Sequence, residues 1–170
     1  NRRTFAVLAE PHLSRSRRAK LPVSLLMLDL DHFKRINDSF GHLAGDDVLK
    51  AFSKLVRNLL RKEDLLARYG GEEFVVLLPG SSQAAARALA ERIREEVAAK
   101  QLDANGHLVR ATVSIGVASE AGDTLPSLEA MLGRADEALY KAKNDGRNKV
   151  VALPMPVDHA AATVPFSVAH

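Results

Sequence analysis

Residues 65–80 read LLARYGGEEFVVLLPG, and this stretch decides the fold. Two apolar runs flank a Gly-Gly pair, and a Pro-Gly pair ends the second run, so the pattern predicts a β-hairpin. Its turn places Gly70 and Gly71 beside Glu72 and Glu73. Glycine permits a positive φ and close approach to the backbone, while adjacent carboxylates repel each other unless a cation or a donor compensates. The turn is therefore either a metal and phosphate site or an ordinary tight hairpin with a solvated acidic tip.

A second apolar run, residues 23–28, leads into Asp29-Leu30-Asp31. An uninterrupted apolar run predicts a buried central strand, and this one delivers carboxylates at its C-terminal end. If the hairpin lies beside this strand, the two acidic segments meet at one edge of the sheet. Carboxylates that converge from distant segments indicate a site rather than a solvated surface.

Hard divalent cations such as Mg²⁺ prefer oxygen ligands and keep water and substrate phosphate in their remaining positions. Asp29 and Glu72 are the first choice as ligands, joined by the backbone carbonyl of Leu30, because both acids stand at apolar strand ends. Asp31 is either a further ligand or the N-cap of the helix that follows it. Glu73 is a ligand, a proton acceptor or a residue that orients the ligands, and the sequence does not separate these roles.

The rest of the chain alternates between helix and strand patterns. After residue 45, an apolar stripe at spacings of three and four predicts a helix that Asp46 caps. An Asn-Gly pair at 105–106 predicts a turn before a strand at 108–118. The predicted order β-α-α-β-β-α-β-α-β places helices on one face of a mixed, mainly antiparallel sheet, an α+β fold of the ferredoxin-like or palm type. The other predicted elements are helices at 82–100 and 125–143 and a strand at 149–153.

Composition limits the classes of function. The 170 residues suffice for one domain with its own core, and the absence of cysteine excludes thiolate chemistry and fits a reducing compartment such as the cytoplasm. The formal net charge of +3 is too small for a dedicated duplex-binding protein, so no nucleic-acid partner is expected. No apolar run approaches the roughly 18 residues that span a bilayer, so no membrane contact is expected from this segment, although a longer parent protein can be membrane-anchored. Residues 154–170 lack periodicity and are expected to form a disordered or extended tail.

Three motifs together resemble one known family. They are DLDHFKRINDSFGHLAGDDVL at 29–49, RYGGEEF at 68–74 and AKNDGRNKV at 142–150. In this order and spacing they are similar to the GGDEF domain of diguanylate cyclases, bacterial enzymes that condense two GTP molecules into cyclic di-GMP with release of pyrophosphate. The resemblance covers residues 1–152 and implies a nucleotide-cyclase-like catalytic domain over 1–153, excised from a longer regulatory protein.

The resemblance implies roles for the acidic residues. Asp29 and Glu72, with the carbonyl of Leu30, match the family's magnesium ligands, and Mn²⁺ can replace Mg²⁺ at such ligands. Glu73 joins Asp29 and Glu72 in the implied catalytic group. The first acid of the pair after Gly71 is Glu where the family name has Asp, a variant that active members use.

Asn37 and Asp46 match the family's guanine-reading pair. An amide can meet N3 and the amino group of guanine, and a buried carboxylate that accepts from the N1 and N2 hydrogens rejects adenine. Without the family, Asn37-Asp38 reads as a turn, and Lys143 and Arg147 read as a basic helix C-terminus. The other implied GTP-binding positions are Phe33, Lys34, Gly70, Gly71, Lys143 and Arg147.

Arg61 and Asp64 match the family's RxxD motif for inhibition by the cyclic di-GMP product. Arginine can bond bidentately to guanine O6 and N7, and the carboxylate can accept from another edge of the base. Arg92 resembles the partner arginine that a second domain supplies to the bound product. Without the family, an Arg and an Asp at this spacing form an ordinary surface ion pair.

The resemblance implies a homodimer, because one domain holds one GTP and the reaction joins two. The main alternative is a catalytically weak domain that senses cyclic di-GMP or GTP. Intact positions for metal, guanine and phosphate argue against that alternative. An enzyme of the same fold that uses another nucleotide and a purely structural role are the remaining alternatives.

Overall fold

The computed structural model of the protein describes residues 1–121 and 126–154. Helices and strands alternate along most of these residues. The helices are α1 (Arg2–Ala19), α2 (Phe33–Phe40), α3 (His42–Leu59), α4 (Gln83–Ala99) and α5 (Leu128–Asn144). The strands are β1 (Val23–Leu30), β2 (Leu65–Arg68), β3 (Glu73–Pro79), β4 (Gln101–Ala104), β5 (His107–Arg110), β6 (Val113–Glu120) and β7 (Val150–Pro154).

The main sheet has the strand order β2-β3-β1-β6-β7. Its strands pair antiparallel except at the β6–β7 pair, which is parallel. The predicted α+β fold with a mixed, mainly antiparallel sheet is therefore confirmed. The central strand β1 is buried along its whole length, as its continuous apolar run predicts. The C-terminal end of β1 and the turn of the β2–β3 hairpin lie at the same end of the strands of this sheet.

Helices cover both faces of the sheet, so the prediction that they lie on one face is wrong. Leu26 and Leu28 of β1 belong to a core cluster that includes residues of α2, α3 and α4. Leu25 and Met27 belong to a second cluster with residues of α1 and α5. Successive side chains of a strand point to opposite faces, and β1 is apolar at both sets of positions. The protein therefore has two hydrophobic layers, one on each face of the sheet.

Three predicted boundaries change in the structure. The predicted strand at 108–118 is two strands, β5 and β6, which belong to different sheets. The helix predicted to start at Asp46 begins at His42, so Asp46 lies inside α3 and does not cap it. The helix predicted from Leu125 begins at Leu128 with Ser127 as its N-cap, and Leu125 lies outside the described residues.

Some elements follow from no sequence prediction. Helix α1 packs Phe5, Ala9 and Leu13 into the second cluster, and β4 pairs with β5 around the predicted Asn-Gly turn. The predicted tail lies, beyond Pro154, outside the described residues. Across the described part of the chain, every helix is too short or too polar to cross a bilayer.

Candidate active site

The acidic end of β1 lies directly beside the end of the hairpin. Asp29 pairs with Glu73 in the antiparallel register of β1 and β3. One residue further on, the backbone N–H of Leu30 donates to the carbonyl oxygen of Glu72 at 3.4 Å. The structure therefore brings together the segments that carry Asp29, Leu30, Glu72 and Glu73, as the sequence predicts.

Asp29 is a buried carboxylate with one cationic neighbour. Its side chain is 5% exposed, and Lys143 Nζ donates to its Oδ2 at 2.5 Å. Burial raises the pKa of the Asp29 carboxyl, the hydrogen bond and charge of Lys143 lower it, and the charges of Glu72 and Asp31 raise it again, with a net upward direction. A buried anion repelled by two others gains from a further cation.

The oxygen donors at this edge fit a hard divalent cation. Among residues 1–121 and 126–154, no group of three His, Asp or Glu side chains is arranged to hold a metal ion. The predicted set needs only two carboxylates and one carbonyl, since Mg²⁺ usually keeps water and substrate phosphate as its other ligands. The negative charges of Glu72 and Asp31 near the buried Asp29 favour such an ion there.

Asp31 is neither the helix cap nor an open ligand. The N-cap position of α2 is His32, in a left-handed conformation with φ 55° and without a side-chain cap. The Asp31 carboxylate instead accepts hydrogen bonds from the Thr112 and Ser114 hydroxyls and from the backbone N–H of Asn148. The N-cap interpretation is wrong, because His32 occupies that position. The sequence could not show this, because the partners of Asp31 are distant along the chain and leave no local pattern.

The Gly-Gly turn is open rather than strained. Neither Gly70 nor Gly71 has a φ in the left-handed region, and a Cβ added to Gly71 would meet no atom within 4 Å. The guanidinium of Arg68 donates to the carbonyl oxygens of both glycines, with the shortest distance, 2.6 Å, to Gly71. Gly71 therefore leaves space beside the backbone, whereas a Cβ at Gly70 would lie 3.2 Å from Glu73 Oε2. Arg68, to which the sequence assigned no role, holds the turn.

Helix α1 supports the same turn from behind. Arg2 donates to the carbonyl oxygen of Tyr69 at 3.1 Å, and its guanidinium lies 4.4 Å from the Tyr69 ring centroid. Phe5 packs edge-on against the same ring. Tyr69 is thus fixed on both its backbone and its side chain, immediately before Gly70.

A cavity of about 520 Å³ opens between α2, α3 and the hairpin. It collects most of the predicted GTP-binding positions, together with one predicted metal ligand. These lining residues are Phe33, Lys34, Asn37, Asp46, Gly71 and Glu72. His42, Leu49 and Arg68 also line it and were not predicted. Lys143, Arg147 and Gly70 lie outside its lining.

The two predicted guanine readers stand on adjacent helices. Asn37 lies in the last turns of α2, so its interpretation as a turn residue is wrong, and Asp46 lies exposed in the second turn of α3. Gly45 makes this arrangement possible, because a Cβ at Gly45 would lie 1.8 Å from Asn37 Oδ1. That oxygen is buried and has no hydrogen-bond partner in the described residues. A buried acceptor without a donor is suited to a ligand donor.

Two of the three predicted phosphate-binding cations, Lys143 and Arg147, lie at the end of α5 and just after it. Lys143 is in the last turn and contacts Asp29. Arg147 is exposed, in a left-handed conformation with φ 65°, and its N–H donates to the carbonyl oxygen of Ala142 at 3.0 Å. Lys143 therefore contacts Asp29 directly, and the loop that carries Arg147 is joined to the end of β1 through the Asn148 N–H bond to Asp31.

The RxxD motif forms a local turn. Asp64 is 2% exposed and accepts from the backbone N–H of Arg61 at 2.8 Å. The Arg61 guanidinium donates to the carbonyl oxygen of Pro79 and the hydroxyl of Ser81, at 3.2 and 2.9 Å. Arg92 is exposed on α4 in an i,i+4 ion pair with a glutamate. The motif is more ordered than a simple surface ion pair, because its carboxylate is buried.

The comparisons with known proteins agree with this geometry. The family model described as "Diguanylate cyclase, GGDEF domain" matches residues 1–149. Diguanylate cyclase A of Treponema denticola is 46% identical over 149 residues, which cover 86% of this chain and 40% of that protein. The chain belongs to the GGDEF domain family, and the resemblance in the sequence is confirmed. It spans less than half the length of this relative.

Two solved structures share the fold closely. The active GGEEF domain of a diguanylate cyclase from Vibrio cholerae has a TM-score of 0.81 and 33% identity, over 93% of this chain and 98% of that one. The GGDEF domain of DgcB from Caulobacter crescentus, in complex with c-di-GMP, has a TM-score of 0.79 and 32% identity, over 89% and 90% of the two chains. The first of these domains carries the same two glutamates in its motif name.

Proposed function

We propose that this chain is the catalytic domain of a diguanylate cyclase, which condenses two GTP molecules into cyclic di-GMP and releases two pyrophosphates. One observation carries the proposal: the acidic end of β1 and the Gly-Gly hairpin meet beside a cavity with a guanine-compatible polar pair. The named activity of the relatives supports it.

The cavity provides the recognition of the base. Asn37 and Asp46 offer an amide and a carboxylate on one wall, and guanine carries N1–H and N2–H donors that adenine lacks at those positions. The unpartnered Oδ1 of Asn37 is an acceptor that guanine can satisfy. Asp46 is exposed rather than buried as expected, so the base discrimination rests mainly on Asn37. A nucleotide without a matching donor would leave the buried Asn37 Oδ1 unpaired, which disfavours its binding.

The chain's cations and acids provide the phosphate site. Lys34 at the cavity, Lys143 beside Asp29, and Arg147 after α5 would hold the triphosphate. Asp29, Glu72 and the Leu30 carbonyl would hold a divalent cation, which when bound neutralises phosphate charge and lowers the pKa of a nearby hydroxyl. Mg²⁺ is the expected ion, by its preference for such oxygen ligands.

The reaction needs two copies of the domain. The 3′-hydroxyl oxygen of one GTP attacks the α-phosphorus of the other, a phosphodiester bond forms, the bond to the β-phosphate oxygen breaks, and the hydroxyl proton is lost. The same step then occurs with the two nucleotides exchanged: the 3′-hydroxyl of the second attacks the α-phosphorus of the first, which closes the ring. Each domain's residues orient one GTP, so a homodimer that faces the two sites toward each other is required.

Product analysis tests this function. The protein is incubated with Mg²⁺ and either GTP or ATP, and the products are separated by chromatography. We expect cyclic di-GMP and pyrophosphate from GTP and no cyclic dinucleotide from ATP. A domain that binds GTP and forms no product would instead be a sensor, and a cyclic product from ATP would refute the base assignment.

We also propose that cyclic di-GMP inhibits the enzyme at Arg61 and Asp64, with Arg92 as a further contact. Arg61 is half-exposed, and its guanidinium is held near the β3–α4 connection, where a guanine edge can reach it. Arg61→Ala should raise the product concentration for half-inhibition by about tenfold or more. Lys62→Ala, a neighbouring exposed cation, is the matched control. Equal inhibition of both variants and the wild type would reject this site.

A further inference from the structure

Asp31 links three segments that meet behind the proposed phosphate site. Its side chain is buried, with the residue 5% exposed, and its Oδ1 accepts from the Ser114 hydroxyl at 2.7 Å. Its Oδ2 accepts from the Thr112 hydroxyl at 2.7 Å and from the Asn148 backbone N–H at 3.0 Å. Both carboxylate oxygens are therefore used, and three neutral donors fix the orientation of the side chain.

The segment that Asp31 holds has an unfavourable backbone conformation. Gly146, Arg147 and Asn148 follow one another with φ values of 112°, 65° and 47°. Only glycine adopts the left-handed region without cost, so such a segment persists where its surroundings determine it. The hydrogen bond from Asn148 N to Asp31 is one restraint, and Arg94 Nη1 to Asn148 Oδ1 at 3.3 Å is another.

We propose that Asp31 is a positioning residue for the triphosphate: it fixes the backbone of Asn148 and so aims the preceding Arg147 at the substrate phosphates. This inference rests on the proposed function, because it assigns Arg147 to GTP. It gives the two acids of the β1 end separate tasks. Asp29 has one cationic partner and faces the proposed metal site, whereas Asp31 is saturated by donors and serves the loop.

The hydrogen-bond pattern distinguishes two replacements of Asp31. In Asp31→Asn, the amide oxygen can keep the bonds from Asn148 and Thr112, and the amide NH₂ can donate to the Ser114 hydroxyl, which can also accept. Asp31→Ala loses all three bonds. A positioning role therefore predicts rescue by Asn, whereas a metal-ligand role, which needs the negative charge, predicts that Asn fails.

The test compares nucleotides with and without a triphosphate. Binding of α,β-methylene-GTP and of GMP is measured by calorimetry with Mg²⁺ for the wild type, Asp31→Ala, Asp31→Asn and the exposed control Asp136→Ala. We expect Asp31→Ala to weaken analogue binding about 10- to 100-fold and GMP binding less than about twofold, while Asp31→Asn stays within about threefold of the wild type. Equal losses for both nucleotides, or failure of Asp31→Asn, would overturn the proposal.

Two further measurements separate the possible failures. In an Arg147→Ala background, Asp31→Ala should cause little additional loss, because its effect acts through Arg147. If Asp31→Ala does not fold, Thr112→Val removes one bond to the same carboxylate oxygen, and a loss of about threefold for the analogue alone is expected. No loss in that variant would overturn the inference. A wild type that binds neither nucleotide would refute the proposed function itself.

Discussion

The hairpin turn around Gly70-Gly71 and the loop after α5 lie at the same end of the sheet strands, but their residue types and backbone conformations are matched in opposite ways. The turn has glycines where the backbone needs none of glycine's special conformations, and Gly71 has open space beside it. The loop has Arg147 and Asn148 in the left-handed conformation that glycine favours. Gly71 therefore leaves room for a ligand beside the turn, while the loop keeps the Arg147 and Asn148 side chains at a conformational cost.

The two segments also differ in what holds them. Arg68 and Arg2 stabilise the turn through carbonyl oxygens, from partly solvated positions. The loop is held from a buried carboxylate, Asp31, and such bonds are not screened by solvent. Substitutions in the turn should therefore change substrate binding and chemistry with little effect on stability, and substitutions in the loop should change both.

The largest effect is expected at the acid of the turn. Glu72→Gln keeps the shape of the side chain and removes the charge of a proposed metal ligand, so cyclic di-GMP formation should fall by about 1000-fold or more. Circular dichroism and urea unfolding should remain close to the wild type. Glu129→Gln, an exposed acid near the start of α5 and away from both proposed sites, is the control. Wild-type turnover in Glu72→Gln would show that the metal assignment is wrong.

The access role of the turn can be tested with one methyl group. Gly71→Ala should leave the free energy of unfolding within about 0.5 kcal/mol, since its φ is ordinary and the added Cβ meets no protein atom. It should weaken GTP binding about tenfold by blocking the nucleotide. Gly146→Ala, at φ 112°, should instead lose about 1 kcal/mol of stability. Similar stability losses in both variants would remove the distinction between the segments.

The strain of the left-handed conformation at Arg147 can be measured by comparing the stability of two replacements. Arg147→Gly should be more stable than Arg147→Ala by about 1 kcal/mol in urea unfolding, because the position has φ 65°. On helix α4 the same pair of replacements at the exposed Arg87 should give the opposite sign, with Gly less stable than Ala by about 1 kcal/mol. If Gly is the less stable replacement at both positions, the loop carries no such strain.

A smaller effect concerns the pH dependence of stability in the metal-free protein. The pKa of Asp29 is raised by burial, so the folded protein holds this proton more tightly than the unfolded chain does. That contribution is complete below the unfolded pKa of about 3.9 and is lost as the pH rises through the folded pKa. With chelator present, the wild type should therefore lose stability relative to Asp29→Asn as the pH rises above about 4. A difference that grows in favour of the wild type would contradict this.

The parts of the fold that the sequence predicts well are those with local signals. The buried run of β1, the Gly-Gly hairpin and helix α4 are where the pattern places them. The break between β5 and β6 escaped prediction because both sides have strand composition. Only the pairing partners show that the chain passes from one sheet to another.

The candidate site likewise contains some residues that the sequence predicts and others that it does not. Residues on the recognisable motifs, such as Asn37 and Glu72, line one cavity. The roles of Asp31 and Gly45 could not be predicted, since they depend on contacts with side chains far away or on a neighbouring helix. Thr112, just before β6, and Ser114, near its start, do leave a weak signal as polar residues beside apolar ones.

We propose that each domain holds half of a two-GTP reaction, with the turn beside the cavity and the loop after α5 near Asp29 and Asp31. The most direct measurement is the rate of cyclic di-GMP formation per protein molecule from Mg²⁺ and GTP, over about two decades of protein concentration. We expect this specific activity to rise with protein concentration and to be lost in Glu72→Gln at every concentration. The proposed function would be contradicted if the protein bound GTP but formed no cyclic di-GMP at any concentration. The role of Glu72 would be contradicted if Glu72→Gln formed it equally well.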